Sequence, residues 1–309
     1  MLILIELAFF RSGFFMAHAG VTRPDFPLAK LALAARRSDA RVLYVGDSTV
    51  LTGITPDVVS EACVCGPGFN AGFNGATPWF ISAMTRRLLD ELKPQIVVVG
   101  VSPWHLDNGG RFTASDIYYE IAREVMSPAE VAALGAPFDV RGTVDAQLTS
   151  LWSAYGQRTL VKNWLGSLLP GQRYDESRRG FYAPPGTALN DAQLAAAISR
   201  LFGSVKEPSS TAPGITAIGA LIADLRARGI QVAVLLPPVH PAGYQHVGDY
   251  LRGADAAVRE FAALRGLPIV DCRSTIGVDD FRDFDHLLEA GALKYSTCVG
   301  AQLRAVVKS

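Results

Sequence analysis

Four short apolar runs limit what this chain can fold into more than any other feature of its sequence. They are rich in β-branched residues, and they lie at residues 41–45, 95–101, 231–236 and 267–270. Each run is followed at once by a polar residue, a glycine or a proline. Continuous apolar runs of this length are typical of strands that are buried on both faces of a parallel sheet.

Helical spacing fills the intervals between these runs. Apolar residues recur at intervals of three and four in residues 81–92, 215–228, 255–265 and 291–307. Strand, helix and strand in repeated succession predict right-handed crossovers and a doubly wound α/β fold with a mostly parallel sheet. Hydrophobic residues make up 49% of the chain, which is enough for the large core that such a fold requires.

One stretch does not fit this alternation. Residues from about 104 to 210 have the pattern of short helices and loops, with segments rich in glycine, proline and arginine. The stretch is too long for a single crossover. We therefore expect one α/β domain over residues 36–309, with a large helical and loop insertion at about 104–210.

The first 35 residues form an apolar segment that allows three interpretations. Glu6 and Arg11 interrupt it, so its uninterrupted part is shorter than the roughly 20 residues that a spanning helix needs. The triplet Ala17-His18-Ala19 fits the cleavage preference of signal peptides, although no basic residue precedes the apolar part. The segment is a membrane-anchor remnant, a signal or a packed helix. The first two imply a membrane-associated or extracytoplasmic location, facing the periplasm or the cell exterior, and a cytoplasmic one stays open.

Charge and cysteine content bear on the class of the protein. Lys plus Arg and Asp plus Glu both number 29, and no basic run stands out. This balance argues against a nucleic-acid partner, because such binding depends on clustered positive charge. Four cysteines are too few for a disulfide-built scaffold. Cys63 and Cys65 are too close in sequence for an ordinary low-strain bridge, whereas Cys272 and Cys298 can pair.

Ser48 is the candidate nucleophile. It follows the first apolar run in the sequence Gly46-Asp47-Ser48-Thr49, at a predicted turn from strand to helix. A hydroxyl at that point lies near the unpaired N–H groups of a helix N-terminus, which favour a developing oxyanion. Asp47 and Ser48 are also typical helix caps, so the turn alone leaves both roles open.

A histidine near the end of the chain has a carboxylate three residues before it. The spacing of Asp283 and His286 lets the carboxylate bond to imidazole Nδ1 and leaves Nε2 free. Serine, histidine and an orienting carboxylate together make an activated nucleophile. Nearby Asp279, Asp280 and Asp285 make metal binding a rival, but no second histidine stands at ligand spacing. We expect neither a metal nor a cofactor.

A loop punctuated by glycines supplies candidate oxyanion donors. Residues 69–78 are FNAGFNGATP, and Gly75 within them permits a close approach of substrate to the main chain. The loop matches neither the dinucleotide fingerprint nor a Walker phosphate loop, so a nucleotide-binding function has little support.

Together these segments resemble the SGNH/GDSL hydrolase superfamily, over roughly residues 40–105 and 215–305. The turn at Ser48 is similar to its first block, Asn70 to Gly75 to its second, and Asp283-x-x-His286 to its last. The resemblance implies a three-layer, flavodoxin-like fold. It also implies a catalytic triad of Ser48, Asp283 and His286, with the N–H groups of Ser48 and Gly75 in the oxyanion hole.

One block departs from the family pattern. Where the superfamily has an asparagine that donates to the oxyanion, this chain has Ser102, in Gly100-Val101-Ser102-Pro103. We expect Ser102 to be the third oxyanion donor, with a shorter side chain than asparagine. Further candidate substrate contacts lie at or near the carboxyl ends of the predicted strands, where open parallel sheets bind ligands: Asp47, Trp104, His105 and His240. Asn74, in the glycine-punctuated loop, is another.

The resemblance implies a serine-dependent acyl-ester enzyme, either an esterase or an O-acyltransferase. The apolar N-terminus and the serine at position 102 are most similar to membrane-associated members: relatives of the teichoic-acid D-alanylation protein DltD and carbohydrate O-acyltransferases. This variant implies O-acyl groups of cell-surface carbohydrate as substrate and a membrane-bound acyltransferase as candidate partner. The alternative is a non-catalytic binding or assembly protein of cell-envelope polysaccharide biosynthesis on the same fold, which the missing asparagine favours.

Overall fold

The structure is a computed structural model. It describes residues 2–107, 144, 147–148, 151–183, 187–202, 205 and 207–307. Much of the expected insertion at about 104–210, above all residues 108–143, lies outside the described residues.

Five parallel strands form one sheet in the order β2-β1-β3-β4-β5. The strands are β1 (Val42–Gly46), β2 (Gly68–Gly72), β3 (Ile96–Gly100), β4 (Gln231–Leu235) and β5 (Ile269–Val270). The strand order reverses between β1 and β3, which is the point at which open α/β sheets place their ligand sites. The predicted doubly wound, three-layer α/β fold is confirmed.

Twelve α-helices are present in the part of the chain that the structure describes. They are α1 (Leu2–Ile5), α2 (Phe14–His18), α3 (Pro27–Ala34), α4 (Ser48–Gly53), α5 (Pro56–Cys63), α6 (Pro78–Leu92), α7 (Ser153–Gly156), α8 (Arg158–Ser167), α9 (Asp191–Phe202), α10 (Pro213–Ala227), α11 (Pro241–Ala263) and α12 (Glu289–Val307). A π-helix, Glu6–Arg11, continues α1, and 3₁₀ turns lie at Pro103–Leu106, Glu176–Arg178, Arg273–Thr275 and Val278–Asp280.

The alternation of side chains along the strands divides the core into two layers. Leu43 and Val45 of β1 pack on one face with α3, α6, α10 and α11. Val42 and Tyr44 pack on the other face with α5 and α12. Both faces of the sheet are therefore covered by helices, which explains why the strands are apolar without interruption.

Strand β2 was not among the predicted strands, because Gly68-Phe69-Asn70-Ala71-Gly72 has no β-branched residue. Tertiary contacts make it a strand. It pairs with β1 along one edge, and on the other edge Asn70 N donates to Arg179 O at 2.9 Å. The Arg179 guanidinium also donates to Gly68 O. The segment around Arg179, which follows β3 in the chain, therefore covers this edge of the sheet.

The N-terminal segment divides into a surface part and a buried part. Helix α3 lies in the core, with Leu28, Ala29, Ala32 and Leu33 buried. Among the described helices, none has both the length and the hydropathy to cross a bilayer.

All four cysteines are paired. Cys272 is bonded to Cys298, as the sequence allows. Cys63 is bonded to Cys65, which differs from our expectation for so short a separation. The intervening Val64 adopts a left-handed conformation at the end of α5, with φ 59°, and this turns the chain back on itself.

Candidate functional site

Helix α4 lies directly on the carboxyl ends of three adjacent strands. Each of these strands ends in a glycine, Gly46, Gly72 and Gly100. A Cβ at Gly46 or Gly100 would collide with the side chain of Val50, and one at Gly72 would collide with the backbone of Leu51. The absence of these three side chains therefore fixes the position of the first turn of α4, which carries Ser48.

The two roles that the sequence leaves open at this turn fall to different residues. Asp47 is the N-cap of α4, and its Oδ1 accepts hydrogen bonds from Thr49 N at 3.0 Å and Thr49 Oγ1 at 2.6 Å. Ser48 is the first helical residue and is 7% exposed. Within the described part of the chain, neither its hydroxyl nor its N–H makes a hydrogen bond. The Ser48 hydroxyl is therefore not used to cap α4.

The second carboxylate oxygen of Asp47 is held from the loop after β3. Trp104 Nε1 donates to Asp47 Oδ2 at 2.8 Å, and His105 Nε2 lies 3.5 Å from the same oxygen. Both side chains are buried. Burial lowers the pKa of His105, although the negative charge of Asp47 acts to raise it. As placed, Trp104 and His105 support the Ser48 turn, and His105 does not reach an open surface as a substrate contact would.

Asp283 and His286 form a close pair in the loop before α12. Both carboxylate oxygens of Asp283 lie 2.8 Å from His286 Nδ1, and Oδ1 also accepts from His286 N at 2.9 Å. Arg282 N donates to His286 O at 2.8 Å and closes the turn. No described residue bonds to His286 Nε2, so this nitrogen is the one left for proton transfer.

The carboxylates around His286 shift its titration. Burial alone would lower the pKa of His286, but the charges of Asp285 and Asp283 raise it to about 9. Burial would raise the pKa of Asp283, and the hydrogen bonds and charge of His286 hold it well below its usual range. Burial raises the pKa of Asp285 well above its ordinary value. The charge of Asp283 therefore stabilises the imidazolium, and that of Asp285 adds to it only above its own raised pKa.

The segments that carry Ser48 and His286 lie at the same end of the sheet. Phe284 is stacked edge-on to Trp104, with ring centroids 6.3 Å apart, and Trp104 is bonded to the residue before Ser48. In α12, Ser296 Oγ donates to Gly53 O at 3.2 Å, at the other end of α4. No hydrogen bond joins Ser48 Oγ to His286 Nε2 among the described contacts.

Ser102 lies in the interior beside Thr49 and does not face the open side of the site. Its side chain is fully buried, and its Oγ is 3.3 Å from Thr49 Oγ1. Because the Thr49 hydroxyl donates to Asp47, the Ser102 hydroxyl donates to Thr49. This placement differs from the expected role as third oxyanion donor.

The turn between β2 and α6 is open to solvent. Asn74 and Gly75 are both exposed, and Gly75 has φ +59°, a conformation that glycine adopts without strain. The N–H of Gly75 donates no hydrogen bond within the described residues. Both residues are thus placed where a ligand can reach them.

His240 is the N-cap of α11 and contacts the loop that carries His286. Its Nδ1 accepts from Ala242 N at 3.1 Å at the start of α11, and its ring lies 5.1 Å from that of Phe281. Its own N–H donates to Phe284 O at 2.7 Å, which anchors the loop that carries His286. Burial lowers the pKa of His240, which favours the neutral ring that a cap requires.

One group of side chains in the described ranges has the spacing of metal ligands. Asp283, Asp285 and His286 offer oxygen and nitrogen atoms within 4.8 Å of one another. The ring nitrogen that faces these carboxylates is already bonded to Asp283, so a cation would have to replace that bond.

Two residues that shape the site were not among the predicted catalytic or substrate-binding residues. Asn70 Nδ2 donates to the carbonyl oxygens of Val50 and Ile54, at 2.8 and 2.7 Å, and so ties β2 to the end of α4. Asp285 is buried with its Oδ1 3.1 Å from His286 Nδ1. A polar residue within an apolar strand is the signal for Asn70. No feature of the sequence distinguishes Asp285 from the acidic residues near it.

No protein-family model matches the chain, and no curated protein does. Thirteen solved chains match it. One of them is a Bacteroides fragilis protein described provisionally as an acylhydrolase, with 12% identity and a TM-score of 0.40 over 86% of this chain and 88% of that one.

Proposed function

We propose that the protein is a serine-dependent acyl-ester enzyme in which Ser48, His286 and Asp283 act together. The observation that carries this proposal is that neighbouring residues make the capping and orienting hydrogen bonds, so that the two reacting groups stay unbonded. Asp47 caps α4 and leaves the Ser48 hydroxyl unbonded, while Asp283 binds His286 through Nδ1 and leaves Nε2 unbonded. A purely structural serine or histidine has no need of such an arrangement.

The reaction follows from these groups. Ser48 Oγ attacks the carbonyl carbon of an ester, and its proton passes to His286 Nε2. Asp283 stabilises the imidazolium that forms, and the alcohol leaves with that proton. The acyl-enzyme is then attacked by water in hydrolysis, or by a sugar hydroxyl in transfer, and Ser48 is regenerated.

The oxyanion is stabilised by main-chain donors. The N–H groups of Ser48 and Gly75 donate no other hydrogen bond among the described residues, and the first lies at the N-terminus of α4, where the helix dipole favours negative charge. Ser102 contributes through Thr49 and Asp47 rather than directly, so this oxyanion hole has two donors.

An aromatic cluster beside the site supplies an apolar wall for the acyl group. Phe284 packs edge-on to Trp104 and to Phe202 of α9, with centroids 6.3 and 6.1 Å apart. We propose O-acyl groups of cell-surface carbohydrate as the substrate, with Asn74 and His240 near the sugar. The acyl donor for transfer is then delivered by a membrane-bound acyltransferase.

Labelling with a fluorophosphonate probe tests the proposal. We expect the purified chain to be labelled, and Ser48→Ala and His286→Ala to lose the label. Ser60→Ala on α5 and His246→Ala on the surface of α11 are matched controls that keep it. Absence of labelling in the folded wild type at alkaline pH contradicts the proposal.

A non-catalytic binding or assembly protein is the second candidate, and the burial of Ser102 favours it, because the residue at the position of the family's asparagine donor does not face the open site. Complementation of a deletion strain separates the two functions. If Ser48→Ala restores the phenotype as well as the wild type does, the binding function is correct.

A further inference from the structure

His105 is buried in the 3₁₀ turn that follows β3, and it has no direct part in the proposed reaction. Its Nδ1 accepts a hydrogen bond from Ser102 N at 3.2 Å. A ring nitrogen that accepts from a backbone N–H carries no proton, so the proton of the neutral ring is on Nε2. The ring therefore presents one donor, Nε2–H, to the segments that pack against this turn.

The Nε2–H group of His105 is a buried donor without a completed hydrogen bond. Nε2 lies 3.5 Å from Asp47 Oδ2, and within the described part of the chain no acceptor is bonded to it. Asp47 Oδ2 accepts instead from Trp104 Nε1 at 2.8 Å. Buried donors in this state are rare in folded proteins, because nothing offsets the loss of their bonds to water. A hydrogen bond that is long in the resting protein and shortens during the reaction is one cause.

His105 adjoins both segments that carry the proposed oxyanion donors. Asp47 directly precedes Ser48, and Ala76 directly follows Gly75. Burial lowers the pKa of His105, whereas the charge of Asp47 and the carbonyl of Ala76 act to raise it, so both groups face the ring. One imidazole therefore contacts the chain neighbour of each donor.

The turn that carries His105 is tightly packed. A Cβ at Gly214, in the first turn of α10, would lie 2.5 Å from His105 O and 3.0 Å from Pro78 Cγ. Pro78 is the first residue of α6, and the turn that carries Gly75 leads into this helix. The His105 turn therefore cannot shift without moving the starts of α6 and α10, and its ring is a fixed point beside the Ser48 turn.

We propose that His105 is a positioning residue for the oxyanion hole, whose contact with Asp47 shortens to a full hydrogen bond as the Ser48 turn closes on the oxyanion. This inference rests on the proposed function, because it requires negative charge to develop beside Ser48. The bond between His105 and Asp47 is then made in the transition state and not in the resting protein, so it lowers the barrier without tightening the binding of substrate.

Two substitutions separate the two nitrogens of the ring. His105→Gln places an amide N–H near the position of Nε2–H and removes the acceptor for Ser102 N. His105→Asn keeps an acceptor near the position of Nδ1, and its shorter side chain has no donor at the position of Nε2. The first variant therefore removes the bond that shapes the turn, and the second removes the bond proposed to form with Asp47.

Steady-state hydrolysis of 4-nitrophenyl acetate tests the inference. We expect kcat of His105→Asn to fall about tenfold or more with KM within about twofold of the wild type, since the lost bond belongs to the transition state. His105→Gln should keep kcat within about threefold of the wild type, although its thermal transition lies below that of His105→Asn. His246→Asn and His246→Gln, at an exposed histidine of α11, are matched controls and should leave kcat unchanged.

Proton NMR of the wild type tests the same bond without relying on a variant that folds. Phosphonylation of Ser48 by the fluorophosphonate probe places a tetrahedral oxygen where the oxyanion forms. We expect the Nε2–H resonance of His105, identified by its absence in His105→Gln, to move downfield in the adduct as the bond to Asp47 shortens.

Three results overturn the inference and leave the proposed function standing. They are a kcat of His105→Asn within about threefold of the wild type, a kcat that falls in both variants in the order of their thermal stability, and an Nε2–H resonance that phosphonylation does not move. Absence of both ester hydrolysis and Ser48 labelling in the folded wild type overturns the proposed function, and the inference with it.

Discussion

Both carboxylate oxygens of Asp283 lie 2.8 Å from Nδ1 of His286, and Asp285 approaches the same nitrogen at 3.1 Å. A histidine with one carboxylate partner is oriented and made somewhat more basic. A second carboxylate adds to the stabilisation of the imidazolium once it is ionised, and burial moves the ionisation of Asp285 to higher pH. The general base of the proposed reaction is therefore more basic than an ordinary histidine.

This basicity predicts an alkaline pH profile. The pKa of His286 is raised to about 9, and only its neutral form accepts the serine proton. We expect kcat/KM for 4-nitrophenyl acetate to rise with pH until it levels off above about 9. Asp285→Asn removes one of the charges that raise this pKa, so the rising limb should move to lower pH.

The exposed Asp279→Asn in the preceding turn is the matched control, and its profile should coincide with that of the wild type. A limb that stays in place in Asp285→Asn would show that Asp285 does not act on His286.

Gly100→Ala tests the placement of α4. The added methyl group would overlap the Val50 side chain, so α4 must move away from the sheet. We expect a loss of about 1–3 kcal/mol in the free energy of unfolding and a larger relative loss of probe labelling at Ser48. Gly277→Ala, where a Cβ meets nothing closer than 3.8 Å, serves as the control in chemical denaturation.

Trp104→Phe tests the support of Asp47. The variant keeps most of the ring packing and removes the donor to Asp47 Oδ2, a buried oxygen that then lacks a good hydrogen bond. We expect a loss of about 1–3 kcal/mol of stability, together with slower labelling of Ser48. Trp164→Phe in α8, which is remote in sequence from the site, should leave the labelling rate unchanged.

Lys30 predicts a pH dependence of stability. Its Nζ is fully buried and donates to the carbonyl oxygens of Asn70 and Gly180, and burial lowers its pKa from 10.5 to about 7. Between these pH values the unfolded chain binds a proton that the folded chain does not, so this contribution to stability rises with pH. Below about 7 both states are protonated and the contribution is constant.

Relative to Lys30→Met, the wild type should gain up to about 1.4 kcal/mol per pH unit over that window. Urea denaturation at several pH values measures the difference. Exposed Lys93→Met should give a profile parallel to that of the wild type, and a parallel profile for Lys30→Met would mean that Lys30 stays charged.

The sequence allowed the layers of the fold to be predicted, because burial on both faces leaves a local signature in each apolar strand. It did not allow β2 to be predicted. Position 68 is a glycine because the Tyr44 ring occupies the space in which a side chain would lie, and the edge of β2 is covered by Arg179, more than a hundred residues later. Contacts of this kind leave no local pattern.

The same distinction holds at the site. The contact of Asp283 with His286 is made within one turn, so a spacing of three residues suffices to predict it. The burial of Ser102 and His105 depends on how the loop after β3 packs under α4 and against Asp47. Residues that follow a strand lie at the correct edge of the sheet, but sequence position alone does not decide which of them reach the surface.

Helix α4 rests on strand ends that carry hydrogen atoms in place of side chains. Even one extra carbon at position 46, 72 or 100 has to lift the helix, and Ser48 rises with it. The three bare positions admit almost no substitution, and libraries aimed at new substrates should leave them untouched.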